Sequence, residues 1–478
     1  MIDHLASRRC AALTLVILGG CATTSRGPWE PPRRVVSPQQ LPGLPAQGGR
    51  VTPSPAPAPP IRTLDRVTIG AVGDVLMHDA VKRSAEVHGA GAPDAGFSWL
   101  FQPVADLLSE PDLTFANLET PIAPRTSQGA RPFVFNAPPA VIAALQRSGV
   151  DVVSMANNHA FDQGRPGFEE TLQWLSAAGM TYVGAGPAPR AAGPVRLERN
   201  GLSLAFLGYT YGLNQSGNHC PPPRPGAREC LLAAELDRAR IAEEVREAAA
   251  QADAVVVSIH WGTEYAQQPR AEDVELAHRL AEAGALVILG HHPHVLQPVE
   301  LYRRVDGQVA VIAYSLGNFV SNQSRRYVPG VSPDPVAATR DGALLRVTLA
   351  RRDYGRGLVR VEVAGADVAP LWTENDTAEI APRKEPDRLP AIRVVSVDRA
   401  LDQVRAELAR FPDPVPPEAR MEWARLRQRE ALFLARRSAS AASLGEELLR
   451  PFGPAPQATQ TAAPAAPAAE AITPSGAP

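Results

Sequence analysis

Short apolar and β-branched runs alternate with longer amphipathic or alanine-rich stretches through the middle of the chain. The short runs predict β-strands at Val67–Val72, Leu113–Ala116, Val150–Met155, Leu202–Leu207, Ala254–Ile259, Leu286–Leu289, Val309–Ala313 and Leu344–Leu349. The longer stretches predict helices at Pro139–Ser148, Gly167–Ala178, Leu232–Gln251 and Glu272–Ala283. Two further runs, Leu358–Val363 and Ala366–Leu371, predict edge strands of the same domain. Strands that alternate with helices are typical of an α/β domain.

The two ends of the chain differ from this central part in composition. They are rich in Pro, Gly, Ala, Ser or Thr and poor in large apolar residues, so they cannot bury enough surface to offset the entropy of ordering. From these shifts we predict a signal peptide at 1–21, a Pro-rich disordered linker at 22–66, the main domain at 67–375, a helix-prone extension at 376–450 and a disordered Ala/Pro tail at 451–478.

The N-terminus has the features of a bacterial export signal. Arg8 and Arg9 precede an apolar run that is too short to span a bilayer as a helix. The run closes on Leu18-Gly19-Gly20-Cys21, which resembles the lipobox in which the cysteine is acylated and becomes the new N-terminus. We therefore expect an exported protein that is tethered to the membrane of the cell envelope by lipid at Cys21. The alternative is an ordinary secretory peptide with a chance cysteine.

Charge and cysteine content narrow the function further. The formal net charge of -2 over 478 residues gives no indication of nucleic-acid binding, and we expect no nucleic-acid partner. Outside the signal, the cysteines are Cys220 and Cys230. In an oxidising compartment these two predict a disulfide that closes a short loop, and the alternative is two free loop thiols.

Polar side chains follow six of the predicted strands at the point where each strand ends. In α/β folds these carboxyl ends meet at one edge and form the site. An Asp there is commonly a helix N-cap and a lone His is commonly structural, but six ends together supply carboxylates, carboxamides and imidazoles. Such ligands suit manganese, iron or zinc. Two metal ions of this kind, bound side by side, can catalyse phosphoryl hydrolysis. The residues are Asp74, Asn117, Glu119, Asn157, Asn158, His159, Asp162, His260, Glu264, His291, His292, His294 and Asn318.

The spacing of three histidines makes a further prediction. His292 and His294 stand two positions apart, and residues two apart on an extended segment point the same way. We therefore expect both imidazoles to reach the same metal centre. His291 would then face away, as a supporting or surface histidine.

Taken in order, these motifs resemble those of the CapA (poly-γ-glutamate capsule synthesis) family, which is similar to the calcineurin-like metallophosphoesterases. The resemblance covers about residues 67 to 375. It implies a four-layer αββα sandwich, two divalent metal ions (Mn, Fe or Zn) and partners among other capsule or envelope biosynthesis proteins. The motifs are Gly73-Asp74, Asn117-Leu118-Glu119-Thr120-Pro121, Asn157-Asn158-His159 with Asp162 and Gly164, His260-Trp261-Gly262-Thr263-Glu264, His292-Pro293-His294 and Tyr314-Ser315-Leu316-Gly317-Asn318-Phe319.

The resemblance also implies a role for each residue. Asp74 and His294 would ligate the first metal, Glu119 would bridge both, and Asn158, His260 and His292 would hold the second. His159, oriented by Asp162, would be the general acid or a phosphate donor. Asn117 and Asn157 would orient the ligands or contact substrate, and Glu264 would orient His260 or contact substrate.

The chain departs from the wider superfamily in its first motif. The usual histidine two residues after the aspartate is Leu76 here, and His78 is the candidate to replace it. The bridging residue is glutamate rather than aspartate. Without a histidine at that place we expect a weaker first metal site.

Two functions fit this pattern. The first is a dinuclear-metal hydrolase related to capsule synthesis, acting on a phosphoester or γ-glutamyl-type bond, in which His159 protonates the leaving group. The second is a non-catalytic, metal-containing component of a capsule or polyanion assembly or export complex.

Overall fold

The computed structural model describes residues 60–449, except 130, 132, 189, 190, 192, 223–228, 381–388, 446 and 447. The predicted signal peptide with Cys21, nearly all of the predicted linker and the predicted Ala/Pro tail lie outside the described residues.

The described chain contains strands and helices in alternation. The strands are β1 (Arg62–Val75), β2 (Leu113–Asn117), β3 (Val152–Ser154), β4 (Thr181–Val183), β5 (Ala185–Pro187), β6 (Val195–Arg199), β7 (Leu202–Thr210), β8 (Leu231–Ala233), β9 (Ala254–His260), β10 (Ala285–His291), β11 (Val299–Arg303), β12 (Val309–Ala313), β13 (Asn318–Val320), β14 (Asp341–Asp353), β15 (Val359–Asn375) and β16 (Ile392–Ser396). The α-helices are α1 (Asp79–His88), α2 (Ala105–Ser109), α3 (Ala140–Arg147), α4 (Gly164–Ala177), α5 (Ile241–Ala249), α6 (Ala271–Ala283), α7 (Thr377–Ile380), α8 (Val397–Leu408) and α9 (Arg420–Leu444).

Most of the strands form two sheets. The first sheet has the order β16-β15-β14-β1-β2-β3-β4, with β13 also paired to β1, and the second has the order β11-β12-β10-β9-β7-β6. Strands β1, β2, β3 and β4 are mutually parallel, as are β7, β9, β10 and β12. Each sheet therefore gathers the carboxyl ends of several strands at one edge.

Alternation along the strands assigns each face of a sheet to a different core. In β1, Ile69 and Ala71 enter the core between the two sheets, whereas Val72 faces the core under helices α1 to α4. In β9, Val256 enters the core between the sheets and Val257 packs beneath α5 and α6. The arrangement is a helix–sheet–sheet–helix sandwich, as the resemblance implied.

The sheet exceeds both predicted ends of the main domain. β1 begins at Arg62, inside the predicted linker, because residues 62–66 pair with the end of β14. Beyond residue 375, β16 pairs with β15, so part of the predicted helix-prone extension belongs to the sheet. Helices α8 and α9 follow, packed on Trp372 of β15.

Several local predictions need correction. The two predicted edge strands after Gly357 are one continuous strand, β15, and β16 pairs with β15 only from Leu371 to Asn375. The predicted helix Leu232–Gln251 begins only at Ile241, since residues 231–233 pair with β5 as β8. Among the described residues, we find no helix that is both long and apolar enough to span a membrane.

Candidate metal centre

Strand register brings the predicted site residues into two rows. On the first sheet, Asp74 pairs with Asn117 of β2 on one side and with Asn318 of β13 on the other. On the second sheet, His260 pairs with His291. The two rows meet across the sandwich, since His294 Nδ1 lies 3.0 Å from Asp74 Oδ2.

Glycine lets two of these strand ends approach their neighbours closely. A Cβ atom on Gly73 would lie 1.9 Å from the carbonyl oxygen of Gly317, and one on Gly290 would lie 2.0 Å from that of Tyr314. Both glycines directly precede a site residue. A side chain at either place would push apart the strand ends that position the centre.

Glu119 stands at the middle of the cluster. Two groups of three residues could each hold a metal ion, because within each group the ligand atoms lie within 4.8 Å of one another. One group is Asp74, Glu119 and His260, and the other is Glu119, His292 and His294. All five side chains are buried. A carboxylate common to two groups is the geometry expected of a bridging ligand. The groups nevertheless combine residues from both sites implied by the resemblance, so the division of imidazoles between two metals stays a prediction.

The electrostatics of the cluster fit a cation. Burial, and then the negative charge of Asp74, raise the pKa of Glu119 to about 8. Its Oε1 atom is buried and accepts no hydrogen bond from the described residues. Nδ1 of His292 is likewise buried and has no hydrogen-bond partner among them. Buried polar atoms without partners are costly. Divalent cations between these oxygens and nitrogens would remove that cost, and the ligand set suits such ions.

The imidazoles differ in charge preference. Burial lowers the pKa of His260 well below its usual value and lowers that of His292 to about 2, which keeps both rings neutral and ready to ligate. Burial acts in the same sense on His294, but the charge of Glu119 and the hydrogen bond with Asp74 outweigh it and raise the pKa of His294 to about 9. A metal bound at His294 would therefore displace a proton.

The prediction that His291 faces away from the centre is wrong. His291 is fully buried, and its Nδ1 atom lies 3.2 Å from Asp74 Oδ1. The prediction assumed an extended segment, but His292 and His294 have φ angles of 97° and 59°. These left-handed residues turn the chain, so all three imidazoles point towards the same region.

The carboxamides support the ligands from behind. Nδ2 of Asn117 donates to Asp74 at 2.8 Å, and Nδ2 of Asn157 donates to the carbonyl of Leu118 at 2.9 Å. Both asparagines are completely buried. The sequence left two roles open for these asparagines, to orient the ligands or to contact substrate, and the hydrogen bonds match the first role. Asn158 was predicted to hold the second metal together with His260, and its Oδ1 lies 3.0 Å from His260 Nε2.

His159 and Asp162 form a pair at the edge of the cluster. Nδ1 of His159 lies 2.8 Å from Asp162 Oδ2, which also accepts the backbone N–H of Phe135 at 2.7 Å. The ring of Phe135 packs 4.6 Å from the imidazole. Because Asp162 engages Nδ1, the other ring nitrogen, Nε2, is left for chemistry. The amide of Asn214 lies 3.5 Å from it.

Comparison with known proteins identifies relatives of this chain. Residues 68–323 match the family model described as bacterial capsule synthesis protein PGA_cap. The chain belongs to this family. It is 31% identical over 323 residues to the PGA biosynthesis protein CapA of Bacillus subtilis (strain 168), covering 66% of this chain and 77% of the relative. It is 29% identical over 318 residues to the capsule biosynthesis protein CapA of Bacillus anthracis, covering 65% and 68%.

The PGA_cap family belongs to the metallophosphoesterase-like superfamily. Among solved structures, the 5′-nucleotidase from Candida albicans SC5314 aligns over 65% of this chain and 52% of its own, at 9% identity and a TM-score of 0.33. The family match ends at residue 323, whereas β14, which pairs with β1, begins at Asp341.

The structure also bears on the superfamily histidine that this PGA_cap protein lacks. Leu76 is buried, and its N–H donates to the carbonyl of Val320 at 2.9 Å. His78 belongs to neither group of ligand atoms. Its ring packs edge-on against Phe135 at 4.9 Å, and its Nδ1 accepts the N–H of Asn322 at 3.3 Å. His78 therefore does not take the place of that histidine.

Sequence reasoning missed two tyrosines at the opening of the centre. The ring of Tyr211 lies 4.7 Å from that of His292, and the ring of Tyr265 lies 6.2 Å from that of His294. Glu264, named from the sequence, is exposed beside them and makes no hydrogen bond with His260. The position of Tyr211, directly after β7, was the available signal, but that strand end carries no typical metal ligand.

A disulfide and an arginine side chain hold the loop that follows Tyr211. Cys220 and Cys230 form a disulfide, as predicted from the sequence. Arg165, three positions after Asp162, donates to the backbone carbonyls of Gly217 and Leu231, at 2.6 and 3.0 Å. The start of α4 thus supports the loop that carries Asn214.

Proposed function

We propose that this PGA_cap protein is a metal-dependent hydrolase of a phosphoester or γ-glutamyl-type bond that acts in capsule or polyglutamate assembly at the cell envelope. The observation that carries the proposal is the buried carboxylate–imidazole cluster around Glu119, with the His159–Asp162 pair at its edge. Names of relatives in Bacillus, which refer to capsule and PGA biosynthesis, support the biological setting.

In the proposed reaction the chain's own residues have separate tasks. Asp74, Glu119, Asn158, His260, His292 and His294 would hold two divalent cations. Bound cations supply charge neutralisation at the scissile group and lower the pKa of water. His159 would donate a proton from Nε2 to the leaving oxygen or nitrogen, while Asp162 keeps the Nδ1 proton in place and stabilises the protonated ring.

The test combines metal analysis with turnover. Elemental analysis of the purified chain should give two equivalents of manganese, iron or zinc, and the loaded chain should hydrolyse bis-p-nitrophenyl phosphate. The variant His159→Ala should keep its metal and lose roughly 10²–10⁴-fold in turnover, the usual contribution of a general acid. His278→Ala is the matched control, because His278 also pairs with a carboxylate, Glu300 at 3.0 Å, outside the cluster.

One observation favours the second function, a metal-containing component of an assembly complex without catalysis. Leu76 stands where the superfamily has a histidine, and His78 does not replace it. A fully loaded wild-type chain with no turnover of phosphodiester or γ-glutamyl substrates would favour this role over the hydrolase.

We propose further that the protein is exported and held in the envelope by lipid on Cys21. The sequence Leu18-Gly19-Gly20-Cys21 is the support. Cys21→Ser should release the protein from the membrane fraction or leave the signal uncleaved. A cleaved, mature Cys21→Ser protein that stays on the membrane would contradict the lipid anchor.

A further inference from the structure

Two large aromatic side chains lie half-exposed at the opening of the centre. Tyr211 is 46% exposed and Tyr265 is 53% exposed. The ring of Tyr211 is nearly parallel to that of His260, at 7° and 6.2 Å, and the ring of Tyr265 lies beside His294. His292 and His294 are themselves 5.9 Å apart, so each tyrosine lies beside one member of a close pair of imidazoles.

Both tyrosines are fixed to the turns that carry the imidazoles. The N–H of Tyr211 donates to the carbonyl of His260 at 2.9 Å, and the N–H of Tyr265 donates to that of Pro293 at 2.8 Å. Tyr265 has a φ angle of 64°, which a bulky residue rarely adopts. Backbone strain of this kind persists where the surrounding structure holds it, and it concentrates at ligand-binding places.

Polar groups surround the two exposed rings. Glu264 directly precedes Tyr265 in the chain, and its side chain is exposed. Nε2 of Gln323 lies 3.5 Å from the hydroxyl of Tyr265. The carboxamide of Asn214 lies 3.5 Å from Nε2 of His159. The opening therefore combines apolar faces with hydrogen-bonding groups at their edges.

We propose that Tyr211 and Tyr265 form a saccharide subsite next to the candidate metal centre. The inference rests on the proposed function, in which the scissile group, here a phosphoryl group, lies against the imidazoles. A sugar ring attached to it would place its C–H face on a phenol ring, whose face is electron-rich. Its hydroxyls would bond to Glu264, Asn214 and Gln323, which are hydrogen bonds that a plain aromatic ring could not make.

The experiment compares phosphate esters that differ in the attached group. Binding is measured by isothermal titration calorimetry to the full metal-loaded chain carrying His159→Ala, so that the ligand is not consumed. We expect α-D-glucose 1-phosphate to bind roughly five- to tenfold more tightly than glycerol 1-phosphate, which has hydroxyls but no ring. Tyr211→Ala and Tyr265→Ala should each reduce this preference, and Tyr211→Phe should retain it because the ring face remains.

The controls separate the possible failures. Tyr302→Ala should keep the preference, because Tyr302 also stacks on a histidine, His278 at 4.2 Å, but away from the centre. Equal affinity for the two esters, or tighter binding of phenyl phosphate or phosphocholine, would overturn the saccharide assignment. Turnover is measured separately on the wild-type chain, so a ring preference without hydrolysis would reject the proposed function and leave the subsite standing.

Discussion

The guanidinium of Arg436, on helix α9, donates to Oδ2 of Asp341 at 3.2 Å, and both side chains are buried. Asp341 is the first residue of β14, next to Gly342, which forms a bridge with Gly317 beside the candidate metal centre. The C-terminal helix is therefore joined by charge to the strands that position Asp74.

Removing Arg436 should destabilise the fold. We expect Arg436→Met to lower the free energy of unfolding by about 3–5 kcal/mol, because it leaves Asp341 buried without its partner. Burial already raises the pKa of Asp341 to about 7, although Arg436 opposes the shift. The loss should therefore be larger at pH 8, where the carboxyl must ionise, than at pH 5. Denaturant titrations at the two pH values measure both effects.

The neighbouring residue provides a control for that variant. Arg437 pairs with Asp398 at 2.9 Å on the surface, and such pairs contribute about 0–1 kcal/mol. Arg437→Met should therefore change stability little. Equal losses in the two variants would show that the buried pair has no special role.

Glu119 should control the pH dependence of the metal-free protein. Its pKa in the folded state, about 8, lies above the usual value of 4.5, so the folded state holds the proton more tightly. The resulting stability is fully present below pH 4.5 and is lost as pH rises through 8. Thermal melting in EDTA should show this decline in the wild type. Glu119→Gln should flatten it and should also reduce metal content, and full metal occupancy in this variant would contradict the bridging role.

Asp162 should affect the rate through His159 and leave the metals in place. Asp162→Asn changes the partner of Nδ1 from an acceptor to an amide, which favours the wrong tautomer. We expect turnover of bis-p-nitrophenyl phosphate to fall by roughly 10–100-fold, as for other groups that orient a functional residue. Metal content should remain at the wild-type value. Loss of metal along with activity would show that Asp162 supports the cluster itself.

Glu170 on α4 should control stability in acid. Burial would raise its pKa, but hydrogen bonds from Thr126, Arg125 and Trp174 outweigh burial and lower the pKa to about 2. A lowered pKa gives stability that is present above pH 4.5 and is lost as pH falls towards 2. Glu170→Gln should show a smaller loss over that range in thermal melting.

The adjacent glutamate is the matched control for this measurement. Glu169 lies 3.8 Å from Arg165, and its side chain is 40% exposed. Glu169→Gln should therefore keep the acid sensitivity of the wild type. An unchanged acid profile in Glu170→Gln would mean that other carboxyl groups dominate the acid response.

The central fold was predictable because its strands carry clear apolar runs and each ends on a polar motif. The predicted strand Ala254–Ile259 differs from β9 by one residue, for example. The orientation of His291 was not predictable, because nothing in His291-His292-Pro293-His294 shows that two of these residues adopt left-handed φ angles. Tyr211 and Tyr265 were missed for a related reason: tertiary contacts, and no motif, place them at the centre.

The sheet continues past residue 375, the predicted end of the main domain, and the sequence hid this for a different reason. Residues 392–396 form an apolar strand, Ile392–Ser396, but a charged segment precedes it and charged helices follow. Composition over that whole stretch favours helix. Only pairing with Thr373 and its neighbours in β15 assigns those five residues to the sheet.

The pairing of β1 also has a consequence for biosynthesis. Asp74 and His294, which are in contact in the centre, are 220 positions apart in the sequence. Strand β14, which pairs with β1, is synthesised later still. A growing chain therefore presents Asp74 and Glu119 long before the imidazoles that complete the cluster exist. Contacts between such distant segments form slowly, so cation capture should be a late event in maturation, after β14 has been made.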